Sequence, residues 1–168
     1  MEELLNQIQK AIENKLYLVA LQATLTIPDI CAKLSIEGNK DTYKEDYIKW
    51  YEENIKEKQE LTGNDCYYFR CAMLHEGKMK HHKIEHSRII FLVPNNTFFL
   101  SGNIFKDINW DNSINIDLPM FCNEMINCAT QWWEENKNNE VVKENYKTIV
   151  KYYNNGLEPF IVGIPVIA

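Results

Sequence analysis

A mainly α-helical single domain is what this sequence predicts, and three observations carry the prediction. Apolar residues recur at helical spacing through most of the chain; the period shortens to that of strands only between about residues 86 and 118; and no internal repeat or low-complexity linker splits the 168 residues. The length suits one core of ordinary size. The expected architecture is therefore one domain over 1–168, with a small antiparallel β insertion at about 86–118 and an extended C-terminal tail.

The first 36 residues form the first helical block. "LLNQIQKAIENKLYLVALQATL" sets Leu4, Ile8, Ala11 and Ile12 on one stripe and then turns almost wholly apolar from Leu16 to Leu25, so an amphipathic helix feeds a buried one. Pro28 interrupts, and "PDICAKL" restarts as a short helix with proline in its first turn. After the loop "EGNKD", the stretch "TYKEDYIKWYEENIKEK" repeats Tyr43, Tyr47, Trp50, Tyr51 and Ile55 on a face expected to be core.

Thr62 and Asp65 form a capping box with Leu61 and Cys66 placed as its staple, and Gly77 stands where a helix end wants a left-handed residue, so a helix is predicted over 63–76. The β-rich runs "SRIIFLV", "TFFLSGNIF" and "SINIDL" follow, separated by "PNN" and "DINWDN". "LPMFCNEMINCATQWWEEN" is again helical, with Phe121, Met125, Cys128 and Trp132 on its stripe and Trp133 off it as an expected exposed contact. "NEVVKENYKTIVKYY" is a shorter helix before the tail "NGLEPFIVGIPVIA".

Composition narrows the function classes. A net charge of −6 speaks against coating nucleic acid through the overall field, and leaves room only for a local basic site. The acidic, amphipathic start "MEELLNQIQKAIENK" differs from a secretory leader, and the C-terminal "FIVGIPVIA" is half the length of a membrane span and broken by Gly163 and Pro165. A soluble cytoplasmic protein is expected. Five cysteines (Cys31, Cys66, Cys71, Cys122, Cys128) without a CxxC pair fit buried free thiols in a reducing compartment.

One residue stands out. From Cys66 to Leu74 every side chain is apolar or aromatic except Arg70, whose helical neighbours are Cys66, Tyr67, Met73 and Leu74. An uncompensated buried guanidinium costs several kcal/mol, so Arg70 pairs with a carboxylate, opens onto a cleft, faces a second subunit, or meets a ligand phosphate that fits its fork of donors. Asp29, just after the kinking proline, is an available structural partner. His75, near the helix end, either caps carbonyls beside Gly77 or does chemistry.

Arg70-Cys71-Ala72-Met73-Leu74-His75 resembles the R-x4-6-H motif of the HEPN superfamily of small helical bundles. Together with "ALQATLTIPDIC", "LTGNDCYYFRCAMLHEG", "SRIIFL" and "GLEPFIVGIPVIA", the likeness to a bacterial and plasmid-borne HEPN-like family runs along most of the chain. The resemblance implies a bundle of about four core helices, commonly dimeric, and in many members a metal-independent RNase in which His75 is the general acid or base and Arg70 steadies the scissile phosphate. Such proteins act in toxin-antitoxin, stress or phage-defence settings, with an antitoxin or neighbouring-gene partner. One departure is Cys71, directly after the arginine, where many active members carry Asn, Asp or His.

These residues suit that chemistry in kind. Cleavage through the RNA's own 2′-hydroxyl needs proton transfer and charge stabilisation but no metal; a histidine moves protons near neutral pH, and an arginine holds two phosphate oxygens. Five residues turn a helix by about 500°, leaving Arg70 and His75 about 140° apart and about 7.5 Å apart along the axis. They meet only if the last turn unwinds or a homodimer builds a composite cleft.

The segment "KMKHHKIEHSR" then adds Lys78, Lys80, Lys83 and Arg88 against Glu85, a basic run able to guide RNA or to serve as an ordinary solvated loop. His81, His82 and His86, or Cys71 with His75, make a zinc site only on paper, because adjacent histidines point apart and no second Cys/His pair has ligand spacing; no metal or other cofactor is expected. The alternative to an RNase keeps the fold without the catalysis: a dimeric nucleic-acid- or nucleotide-binding module, or a protein-interaction subunit.

Overall fold

The computed structural model describes residues 1–56, 61–84, 86, 88–94 and 113–168. It is mainly helical, with α1 (Glu2–Glu13), α2 (Tyr17–Thr24), α3 (Ile27–Ser35), α4 (Lys44–Asn54), α5 (Gly63–Glu76), the strands β1 (Arg88–Leu92) and β2 (Ser113–Asp117), then α6 (Leu118–Asn136) and α7 (Glu140–Tyr146). Four two-residue strands close the chain: β3 (Tyr152–Tyr153), β4 (Gly156–Leu157), β5 (Ile161–Val162) and β6 (Val166–Ile167).

One core joins these elements. Leu5 and Ile8 of α1, Leu21 of α2, Cys31 and Leu34 of α3, Tyr47, Trp50 and Tyr51 of α4, Cys66, Phe69 and Met73 of α5, and Phe121, Met125 and Trp132 of α6 are all buried in it. Its two buried phenols are satisfied locally: Tyr47 Oη donates to the Leu25 carbonyl at 3.2 Å and Tyr51 Oη to the Leu61 carbonyl at 3.1 Å. The buried Asn145 side chain of α7 donates to the carbonyls of Leu34 and Ile36, closing the C-terminus of α3.

α5 has the predicted limits, although only one half of the expected capping box is made, the Asp65 carboxylate taking the Thr62 hydroxyl and not its backbone N–H. Thr62 Oγ1 accepts the Asp65 N–H at 3.1 Å. At the other end Gly77 is left-handed (φ 65°, ψ 23°), and the N–H groups of Gly77 and Lys78 reach the carbonyls of Met73 and Ala72. Leu61 and Cys66 are both fully buried, as the staple requires.

Five expectations are corrected. β1 and β2 pair in parallel, Arg88 against Ser113 through Leu92 against Asp117, and not antiparallel; alternation of apolar side chains fixes which face is buried but says nothing of strand direction, and a parallel pair needs a crossover longer than a hairpin turn. The run "TFFLSGNIF" lies outside the described residues. The C-terminal tail is not extended: it folds back on itself as two nested antiparallel pairs, β3 with β6 and β4 with β5. Gly156 makes the inner pair, since a Cβ there would lie 2.2 Å from the Ile161 carbonyl oxygen.

Tyr43, read as core, is 69% exposed, while Trp133, read as an exposed contact, is buried against Tyr146 with ring centroids 4.7 Å apart. α2 is not wholly buried, since Leu16, Leu18 and Val19 face outward. The stretch Tyr17–Ser35 is apolar enough over its length for a membrane span, but it is divided into α2 and α3 and half of it is buried in the bundle.

Candidate functional site

The two faces of α5 differ in what they touch. Cys66, Phe69, Ala72 and Met73 point into the core. Phe69 stacks on Phe91 of β1 at 5.3 Å, and Phe91 meets Phe121 of α6 edge-on at 5.4 Å, so α5 is fixed through β1 to α6. Tyr67, Tyr68, Arg70, Cys71 and Leu74 are half-buried, and His75 is exposed.

Arg70 sits at the boundary. Its Nη2 lies 2.7 Å from Asp29 Oδ2 of α3, with both side chains about one-fifth exposed, and its Nη1 lies 3.8 Å from Cys71 Sγ. Nε is buried and, among the described residues, has no hydrogen-bond partner. The two partners feel the pairing unequally. Burial pushes the Asp29 carboxyl up, and Arg70, then His75, pull it back without restoring the usual carboxylate range. Burial also opposes the charge of Arg70, but Asp29 and Cys71 more than offset it. The net direction therefore opposes the charge of Asp29 and favours that of Arg70.

Asp29 is thus tied to one motif residue, Arg70, by a direct ion pair. Sequence reasoning identified it only as a structural partner of Arg70; the proline-started turn of α3 is what aims it at α5. Arg70 and His75 themselves point away from one another, as the helix geometry requires, and no hydrogen bond joins them.

The basic segment after α5 divides in two. Lys78, Lys80 and Arg88 line an open groove of about 1300 Å³ between α2, β1 and the start of α6, with Leu21, Met73, Ile89 and Phe91 beneath them. Lys78 also pairs with Glu76 at 2.6 Å on the surface. Lys83 turns the other way, toward Tyr68 on α5, where its Nζ is 5.2 Å from the ring centroid. Lys44 Nζ reaches the same ring at 4.3 Å and donates to Tyr68 Oη at 2.8 Å, which holds that phenol below its usual range.

His81 stacks on Tyr68 (4.7 Å, 15°), and His82 stacks on His81 (4.3 Å, 28°). The two adjacent histidines therefore do not point apart. Alternation holds along a strand, and residues 82 and 83 lie in a turn. Partial desolvation in this pile, then the charge of His82, hold the His81 imidazole below its usual value. Among the described residues no cluster of three His, Cys, Asp or Glu could hold a metal ion.

All five cysteines are free thiols. Burial pushes Cys66 up to about 12 and Cys122 and Cys128 up to about 11, which keeps these three protonated and chemically quiet. No protein-family model matches the chain, and neither a curated protein nor a solved structure does.

Proposed function

We propose that this chain is a HEPN-type, metal-independent endoribonuclease acting on RNA in the cytoplasm as a homodimer, in toxin-antitoxin, stress or phage defence, with an antitoxin or neighbouring-gene product as its partner. The observation that carries the proposal is the Asp29–Arg70 pair at 2.7 Å, just over one turn before the exposed His75 at the end of the same helix. Asp29 orients a guanidinium that is about one-fifth exposed, and the helix end presents an exposed imidazole.

In the proposed reaction the 2′-oxygen attacks the adjacent phosphorus, forming the O2′–P bond and breaking the P–O5′ bond. One imidazole takes the 2′-hydroxyl proton and another gives a proton to the leaving 5′-oxygen, so the products are a 2′,3′-cyclic phosphate and a 5′-hydroxyl. Arg70 bears against the charge that develops on the phosphate. A homodimer supplies two copies of His75 for the two proton transfers, and it removes the difficulty that Arg70 and His75 of one chain face different ways. The outward apolar side chains Leu16, Leu18 and Val19 offer surface for such a contact.

The second reading, a dimeric module that binds RNA without cutting it, is favoured by Cys71 and by the outward direction of His75 relative to Arg70. Incubation with a mixed RNA pool in EDTA separates the two. The RNase reading expects cyclic phosphate ends from wild type, with cleavage reduced about 10²- to 10⁴-fold in His75→Ala and by a similar order in Arg70→Ala. Binding without cleavage by any of the three folded proteins selects the non-catalytic module.

A further inference from the structure

We infer that Tyr68, His81 and His82 form a stacking platform that takes a base of a single-stranded RNA at its His82 end, with Lys44 and Lys83 at its Tyr68 end holding a phosphate further along the same strand. The inference rests on reading the outer face of α5 as an RNA site and adds the part that would grip the strand.

Three segments build this platform. α5 fixes Tyr68, α4 contributes Lys44, and the turn after α5 brings His81, His82 and Lys83. The rings pile in sequence, Tyr68 on His81 and His81 on His82, with small interplanar angles of 15° and 28°. The pile ends in His82, which is exposed. A π-face at the end of a preformed stack accepts any base, because every base has a matching face.

The charges point the same way. Two ammonium groups converge on the Tyr68 ring, at 4.3 and 5.2 Å from its centroid. Among the described residues neither has a carboxylate within ion-pair distance. Two like charges brought together repel, and an anion docking between them relieves that repulsion. A nucleic-acid strand brings a base for the His82 end of the pile and a phosphate for the lysines at its Tyr68 end, which neither an acidic peptide nor a free phosphate does.

The platform is also aligned with the chemistry. Tyr68 and His75 are seven residues apart on α5, which returns them to nearly the same azimuth, about 20° apart, and separates them by about 10.5 Å along the axis. A strand gripped at His82 would run along that face toward His75.

The test is fluorescence anisotropy with a labelled 2′-O-methyl oligoadenylate, which has no 2′-hydroxyl to attack, against an abasic strand of equal length. Wild type is expected to prefer the base-bearing strand. His82→Ala is expected to weaken that strand by roughly 5- to 100-fold while leaving the abasic strand nearly unchanged, and His82→Phe is expected to restore the preference. Lys83→Ala is expected to weaken both strands and to reduce the log–log salt slope by about 0.7. His82→Ala binding both strands as wild type does, with its fold intact by circular dichroism, would overturn the platform. The two proposals fail separately: His82-dependent binding without cleavage of natural RNA keeps the platform and rejects the RNase, while cleavage with His82-independent binding does the reverse.

Discussion

The inner and outer faces of α5 carry different burdens. The inner face, Cys66, Phe69, Ala72 and Met73, is closed against β1 and the other helices and holds the fold together. The outer face ends in an exposed imidazole and a pile of rings flanked by lysines, and contributes little to the core. Arg70 stands between them, half-buried and tied to α3 by one carboxylate. The difference teaches that stability and chemistry can be changed independently on a single helix, except at Arg70, where they are joined.

The largest expected effect breaks the inner face. Phe69→Ala removes a fully buried ring stacked on Phe91 and is expected to cost about 3–5 kcal/mol, read as a lower denaturant midpoint, with any RNA activity lost along with the fold.

Arg70→Ala is next. It leaves Asp29 about three-quarters buried without its cation, at an expected cost of about 2 kcal/mol near neutral pH, between the values for surface and fully buried pairs. The sign of its pH dependence is definite. Burial already raises the folded-state value of Asp29 above its unfolded one, and losing Arg70 raises it further. A raised carboxyl contributes stability that is present below its unfolded value and lost as pH rises through its folded value, so the deficit of Arg70→Ala should shrink between pH 7 and pH 4 in parallel urea melts. A deficit constant across that window would remove Asp29 as the cause.

The smallest effect on stability belongs to the outer face. His75→Ala and His82→Ala should each stay within about 0.5 kcal/mol of wild type in the same melts, because neither side chain is in the core. A large loss from either would mean that the outer face is structural after all.

Much of this helix was legible in the sequence. Thr62, Asp65 and Gly77 are local signals whose meaning does not depend on the rest of the fold, and the limits of α5 followed from them. The pairing of Arg70 with Asp29 was legible as one of several compensations that a buried guanidinium demands. What escaped depends on distant segments. The parallel pairing of β1 and β2 is decided by the chain's path between them, and period-2 alternation carries no direction. Tyr43 and Trp133 exchanged their expected environments because a helical stripe gives a face, while its neighbours decide how far along the helix that face is covered. The Tyr68–His81–His82 pile required a turn to fold back onto α5, and two adjacent histidines give no sign of that.

Photocrosslinking of the purified protein to 4-thiouridine-containing RNA, followed by mapping of the modified residues by mass spectrometry, tests most directly whether the outer face of α5 is the RNA surface. The account predicts adducts concentrated on Tyr68, His81 and His82 and extending along α5 toward His75. Adducts confined to the folded C-terminal tail or to α1, with none on these residues, would contradict it.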